Sequence, residues 1–228
     1  MRLSVFIAKS GICSRRRADE FIRAGVVTVN GEVISKPFFT VSDSDVICFK
    51  GKVIKQKNQV YFLFNKPKGV ITTCRDIFAG KKIIDFFPGK YKGIFPVGRL
   101  DKNSSGLIII TNDGDLCYKL THPKFKVKKE YLLTLRGQLN EFLSRKAKNG
   151  VVDMGERLKV EDIKIISTSS EKTIVRVIIR EGKKRHLRRL FSKLGLPVKD
   201  LKRTAIDQVK LGSLKPGSYR MVKREVIL

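Results

Sequence analysis

The chain has few residues suited to metal or redox chemistry, and few acids. Its four cysteines, Cys13, Cys48, Cys74 and Cys117, are scattered with no C-x-x-C pair, and its two histidines, His122 and His186, add no ligand spacing. A zinc site and a disulfide framework are therefore excluded as expectations, and the cysteines read as small packing residues of a reducing compartment. There is no G-x-x-x-x-G-K-[ST], no G-x-G-x-x-G after a strand and no G-x-S-x-G, so nucleotide hydrolysis, dinucleotide binding and serine hydrolysis lack a motif. No apolar run approaches the ~20 residues of a spanning helix, and the N-terminus lacks a signal-peptide core; a cytoplasmic protein with no membrane partner is expected. Acid is the largest deficit. Against 21 Asp+Glu stand 49 Lys+Arg, a net charge of +28, more than solubility requires, and the natural partner of such a surface is nucleic acid.

What is present fits a globular chain of one large or two modest domains: 228 residues, 42% of them hydrophobic. Leu3, Phe6 and Ile7 have helical spacing up to Gly11. A second helix follows, with Ser14 as its N-cap, an inward stripe of Ala18, Phe21 and Ile22, and Gly25 at its C-terminal end. Val26 to Val29 and Glu32 to Ile34 then flank Asn30-Gly31, a strong hairpin signal because both turn positions need positive φ. Arg15, Arg16 and Arg17 fill the first turn of the second helix. Cations there oppose the helix dipole, and a phosphate backbone would compensate them. Two helices feeding a V-x-V-N-G hairpin resemble the small RNA-binding domain of the ribosomal protein S-four family.

Residues 50–59 are polar and basic and read as a linker, with a domain boundary expected at 57/58 (domains 1–57 and 58–228). Beyond it, Val60 to Asn65 predicts a buried strand, Lys66-Pro67-Lys68-Gly69 a turn and Val70 to Thr73 a returning strand. Further strands are predicted over 107–111, 130–135, 158–167 and 172–180, and helices over 115–120, 140–148 and 184–194. The helices do not alternate regularly with the strands. An α+β fold with a mixed or antiparallel sheet and flanking helices is therefore expected.

The centre of this second domain is Gly98-Arg99-Leu100-Asp101 followed by a polar run, then the apolar Leu107 to Thr111, which stops at Asn112-Asp113-Gly114. A carboxylate on a loop held by a buried strand is a candidate for chemistry, although Asp101 taken alone is more readily a turn cap or the partner of Arg99. Asp113 is explained by its Asn-Asp-Gly turn, which leaves glycoside hydrolysis with Asp113 or Asp115 without support. In the last helix Leu187, Leu190, Phe191 and Leu194 form the inward stripe, and Lys183, Lys184, Arg185, Arg188 and Arg189 crowd its start. Arg188 flanks the stripe, so its charge needs a carboxylate if partly buried.

Asn65-Lys66-Pro67-Lys68-Gly69, Gly98-Arg99-Leu100-Asp101 through Asn112-Asp113-Gly114, Lys129-Glu130-Tyr131, and Glu181 to Arg189 occur in that order. Together they resemble the motifs of the RsuA/RluB/RluE/RluF-type ribosomal RNA pseudouridine synthases, which carry the same N-terminal module. The resemblance implies a cofactor-free, metal-free isomerase that detaches a uracil from C1′, turns it and rejoins it through C5. It implies Asp101 as the catalytic aspartate, Tyr131 as the stacking tyrosine and Arg188 as the counter-ion of the aspartate. Arg15, Arg16, Arg17, Lys66, Lys68, Arg99, Lys183, Arg185 and Arg189 are the expected RNA contacts. The expected partner is ribosomal RNA or a ribosomal precursor particle, met by a monomer. His186 departs from the family, which often has glutamine there. Lys102 to Gly106 and Thr121-His122-Pro123 lean towards the large-subunit enzymes. Small-subunit RNA, transfer RNA, and a non-catalytic RNA-binding or ribosome-assembly role stay open at this stage.

Overall fold

The computed structural model describes residues 1–74 and 80–228, and the described chain divides into two compact units. The first comprises Met1–Val60 with the short pieces Phe87–Phe95 and Thr111–Gly114; the second comprises Tyr61–Phe86, Pro96–Ile110 and Asp115–Leu228.

The first unit starts with helices α1 (Leu3–Lys9) and α2 (Arg15–Arg23). The Ser14 hydroxyl caps α2 by accepting from the Arg17 amide, as the sequence predicts, and Gly25 follows the helix with φ +68°. Strands β1 (Val27–Val29), β2 (Glu32–Val33), β3 (Ile47–Phe49) and β4 (Lys52–Val53) form a sheet in the order β2-β1-β3-β4. Asn30 and Gly31 both take positive φ, and the Asn30 amide also binds Asp45 and the Val46 amide, joining the hairpin to the next strand. Leu3, Ile7, Ala18, Ile22, Val27 and Ile47 fill the core. The expected linker at 50–59 begins inside this sheet: Lys50 and Gly51 make a tight turn, and Lys52–Val53 is its edge strand. Over 50–53 its polarity reflects an exposed sheet edge.

The second unit is built on β5 (Tyr61–Lys66), β6 (Phe95–Pro96), β7 (Ser105–Thr111), β8 (Lys129–Arg136), β9 (Val151–Asp153), β10 (Glu156–Leu158), β11 (Asp162–Thr168), β12 (Lys172–Ile179), β13 (Val198–Ile206), β14 (Val209–Lys210) and β15 (Tyr219–Val222). The main sheet runs β11-β12-β8-β13-β7-β5-β15, with β14 and β6 pairing off that path and β9-β10 a separate hairpin. β13 lies parallel to β7 and antiparallel to β8, so the sheet is mixed. Helices α3 (Gly114–Thr121), α4 (Glu141–Asn149) and α5 (His186–Lys193) complete the described elements, apart from short 3-10 turns.

Two expectations fail here. Val70 to Thr73 does not return as a strand, since only Ile71 makes a bridge, to Lys82. The longest strand, β13, has no counterpart in the predicted elements, because Lys199, Asp200, Lys202 and Arg203 interrupt its apolar alternation. It is nonetheless buried between β7 and β8. Gly106 makes that position possible: a Cβ there would come within 2.2 Å of the Arg203 carbonyl oxygen, and its φ is +105°. Leu133 and Leu135 of β8, Val175 and Val177 of β12 and Leu187, Leu190 and Phe191 of α5 close the core beneath the cleft.

Candidate active site

Asp101 lies in the loop before β7, and three groups of contacts fix that loop. On one flank the Thr72 hydroxyl donates to the Leu100 carbonyl at 2.7 Å and accepts from the Leu100 amide at 3.3 Å. Behind it, the Gly69 amide donates to the Lys102 carbonyl at 2.9 Å, and Ser104 closes a turn by donating its amide to the Asp101 carbonyl at 3.0 Å. On the other flank stands Arg188. One terminal nitrogen donates to the Val198 carbonyl at 3.1 Å; the other donates to the Asn103 carbonyl at 3.0 Å and meets the Ser104 hydroxyl at 3.3 Å. Backbone and side chain on both sides of Asp101 are thus held, so the carboxylate projects from a stiff support.

The Arg188 Nε faces the Asp101 carboxylate at 3.9 Å, an ion pair without a hydrogen bond. The guanidinium is largely enclosed, with a side chain 13% exposed against 39% for Asp101. Burial pulls the Arg188 pKa down, as does nearby Arg185; Asp101 and Asp200 oppose that shift. Arg188 therefore spends its terminal donors on the loop and leaves Asp101 a charge partner, with no hydrogen bond to that carboxylate from the described residues. Tyr131, on β8 between Val177 and Arg203, lines the same cleft as Asp101 and Arg188. Arg99, Lys183 and Arg185 also line it, as does His186. The cleft holds about 90 Å³, well below the roughly 300 Å³ at the lower end of ligand pockets.

Comparison with known proteins places the chain in a family. Residues 60–193 match the family model described as RNA pseudouridylate synthase, and residues 1–47 match the S4 domain. The chain belongs to the RNA pseudouridylate synthase family. It is 37% identical over 221 residues to the ribosomal large subunit pseudouridine synthase B of Bacillus subtilis (strain 168), covering 96% of this chain and 91% of that protein. It is 36% identical to an uncharacterized RNA pseudouridine synthase of Mycobacterium leprae, covering 100% and 91%. A crystal structure of a pseudouridylate synthase superposes with a TM-score of 0.69 at 30% identity, covering 100% of this chain and 98% of that one. The chain is accordingly an RNA pseudouridine synthase with an N-terminal S4 domain.

Two of the expected RNA contacts of this synthase are corrected by their surroundings. Lys66 is 0% exposed, with Nζ donating to the carbonyls of Pro67 at 2.9 Å, Val70 at 2.8 Å and Lys102 at 3.4 Å. It cannot reach RNA; it ties the 66–70 turn to the residue after Asp101. Burial depresses its pKa to about 8, and Asp101 counters part of that shift. Arg189, expected on the RNA face, instead grips the β9–β10 hairpin, binding Asp153 at 2.6 Å and Glu156 at 2.5 Å. These bonds raise its pKa and lower those of both acids.

The remaining cations differ in how far they are engaged. Lys68 is exposed and pairs with Asp200 at 2.9 Å, and Lys183 donates to the Arg157 carbonyl at 2.7 Å. Arg185 precedes α5 in a left-handed conformation, φ +52°, and points its exposed side chain to the cleft. In the S4 domain Arg15 and Arg16 are exposed, while Arg17 pairs with Glu20 and lies over the Phe21 ring at 4.8 Å. His186 is buried, and its Nε2 lies 2.9 Å from the Lys159 carbonyl; burial lowers its pKa. Thr72 and Ser104 do not stand out in the sequence as parts of the site, and Lys66 stands out only as an RNA contact, because a hydroxyl or lysine that braces backbone has no signature of its own there.

Proposed function

We propose that the enzyme converts a uridine of ribosomal RNA, in the large subunit, to pseudouridine, acting in the cytoplasm on the RNA or on an assembling particle. The observation that carries this is the convergence of Asp101, Tyr131 and Arg188 on one small cleft. The name of the Bacillus subtilis relative supports the large-subunit assignment.

The reaction breaks the C1′–N1 bond, rotates the uracil and makes a C1′–C5 bond. C5 loses its proton and N1 ends with one, so no atom is gained or lost. In this reading Asp101 acts at C1′, as a nucleophile or by stabilising the developing charge there. Arg188 holds the Asp101 loop and offsets its charge. Tyr131, which lines the cleft, offers a flat face to the extruded base, and in the same reading its phenol helps to move the C5 proton. The uridine must leave its stack to enter, so basic groups at the rim, Arg99, Arg185, Lys183 and Lys68, hold distorted RNA. Arg15 and Arg16, with Arg17, supply sequence-independent phosphate contacts from the S4 domain.

Asp101→Asn is expected to abolish tritium release from C5-labelled uridine in ribosomal RNA while leaving RNA affinity nearly unchanged. Substantial residual turnover would remove Asp101 from the chemistry. Mapping pseudouridines in cells with and without the protein identifies the RNA; loss of a small-subunit or transfer-RNA site would reject the large-subunit assignment.

A further inference from the structure

A second basic groove lies beside the cleft, on the same unit. It is lined by Pro123, Lys126, Lys148, Lys159, Arg180 and Glu181, among others, and holds about 780 Å³, within the roughly 300–1,000 Å³ of ligand pockets in general. The two spaces share a wall. Glu181 lines the groove and Gly182, the next residue, the cleft; Lys159 lines the groove, and its carbonyl is bonded by His186, which lines the cleft. Some of the groove's charge is already used: Arg180 pairs with Glu161 and donates to the Lys126 carbonyl at 2.9 Å, and Lys148 pairs with Asp162 at 3.1 Å. The ammonium groups of Lys126 and Lys159 are exposed and carry no ion pair among the described residues.

At the Pro123 end of this groove stands a cluster of three exposed rings. Tyr118 lies 4.8 Å from His122 and 5.5 Å from Phe125, centroid to centroid, and Lys124 hangs over both Tyr118 and Phe125. Tyr118 is 47% and Phe125 42% exposed. α3 does not need them to pack, because Leu116 and Leu120 already bury its inner face. From Leu116 to Lys129 there are five lysines and no acid. Rings left in water, interleaved with cations and beside a groove with free ammonium groups, fit an unpaired polynucleotide: each base has a face to stack and each phosphate a charge to meet.

We infer that the groove and the ring cluster form a second RNA subsite, which takes unpaired nucleotides flanking the target uridine. Phosphates run against Lys126 and Lys159, and one base stacks on Tyr118 or Phe125. The inference rests on the uridine-modifying reading of the cleft, but its test does not require turnover. The probes are oligouridylates of roughly four and roughly twelve nucleotides, the longer carrying one photoreactive 5-iodouridine, bound to the full chain.

Irradiation is expected to crosslink the longer probe to Tyr118 or Phe125, in wild type and in Asp101→Asn alike. The double change Tyr118→Ala/Phe125→Ala should weaken the longer probe about tenfold or more, leave the shorter one unchanged and keep the salt slope. Lys126→Ala and Lys159→Ala should each reduce that slope by about one. Phe125→Trp should retain the affinity. Crosslinks confined to other segments would overturn the inference, as would equal losses for both lengths, an unchanged affinity of the double variant for the longer probe, or crosslinking of the rings to a copurifying protein in place of the RNA. Failure of the uridine-modifying reading would show instead as undiminished tritium release by Asp101→Asn.

Discussion

Arg188 and Arg189 are neighbours on one helix, and each faces carboxylate, yet the two sites are built differently. Arg189 is saturated by close bonds to Asp153 and Glu156, so both partners are committed to fastening α5 to the β9–β10 hairpin. Arg188 gives its terminal donors to the Asn103 and Val198 carbonyls and approaches Asp101 only at 3.9 Å through Nε. A carboxylate locked by two charge-assisted bonds has little left to offer a substrate. One that is oriented through its own backbone, with an arginine nearby but no bond between them, keeps its oxygens for chemistry. In this pair of sites the loosely held acid is the candidate for function and the tightly held acids are fasteners.

That contrast is exposed to experiment. Arg188→Ala should lower kcat on ribosomal RNA about 100-fold, because a loop displaced by an ångström misplaces the carboxylate. Arg188→Lys should recover little, since one ammonium cannot replace a planar fork reaching three acceptors. Near-normal turnover by the lysine variant would mean that charge alone, not the clamp, is what Asp101 needs.

Lys66→Met comes next. It strands three carbonyls and should cost about 1–3 kcal/mol of stability together with part of the activity. Its pH signature is specific. With a folded pKa near 8 against an ordinary 10.5, the unfolded chain holds the extra proton between those values. Wild-type stability should therefore gain from this group as pH rises from 8 to 10.5, by up to about 3 kcal/mol, and the penalty should be complete below 8. Chemical denaturation across that window should show the gain in the wild type and not in Lys66→Met; matching curves would refute the buried-ammonium account.

Arg189→Ala should have the smallest effect on function: a lower melting temperature, with kcat and the salt dependence of RNA binding unchanged. A flatter salt slope would return Arg189 to the RNA face and erase its contrast with Arg188. Replacing Arg15, Arg16 and Arg17 with Ala sets the scale for such a change, about one unit of slope per lost phosphate contact.

The sequence made the motif-bearing parts legible. The Asn30-Gly31 turn, the Ser14 cap, the buried strand after Gly106 and the α5 stripe each follow from local chemistry, and Asp101 could be singled out as a carboxylate on an anchored loop. Long-range pairing was not legible. β13 reads as charged because Lys199 and Lys202 alternate with inward residues, and only the strands on either side reveal it as central. Sequence alone puts Lys66 and Arg189 on the RNA face, because composition predicts only what a cation does on average. Whether its donors turn inward depends on carbonyls and acids from distant segments, such as Lys102, Asp153 and Glu156.

The clamp on the Asp101 loop also sets an order of events. Arg188 bonds Asn103 across 85 residues of sequence, and β13, which pairs with both β7 and β8, is later still. During synthesis from the N-terminus, Thr72, Asp101 and Tyr131 all leave the ribosome before the arginine that completes their support. A growing chain therefore carries Asp101 and Tyr131 for a time without the contacts that fix the Asp101 loop, and modification must wait until α5 and β13 have been made.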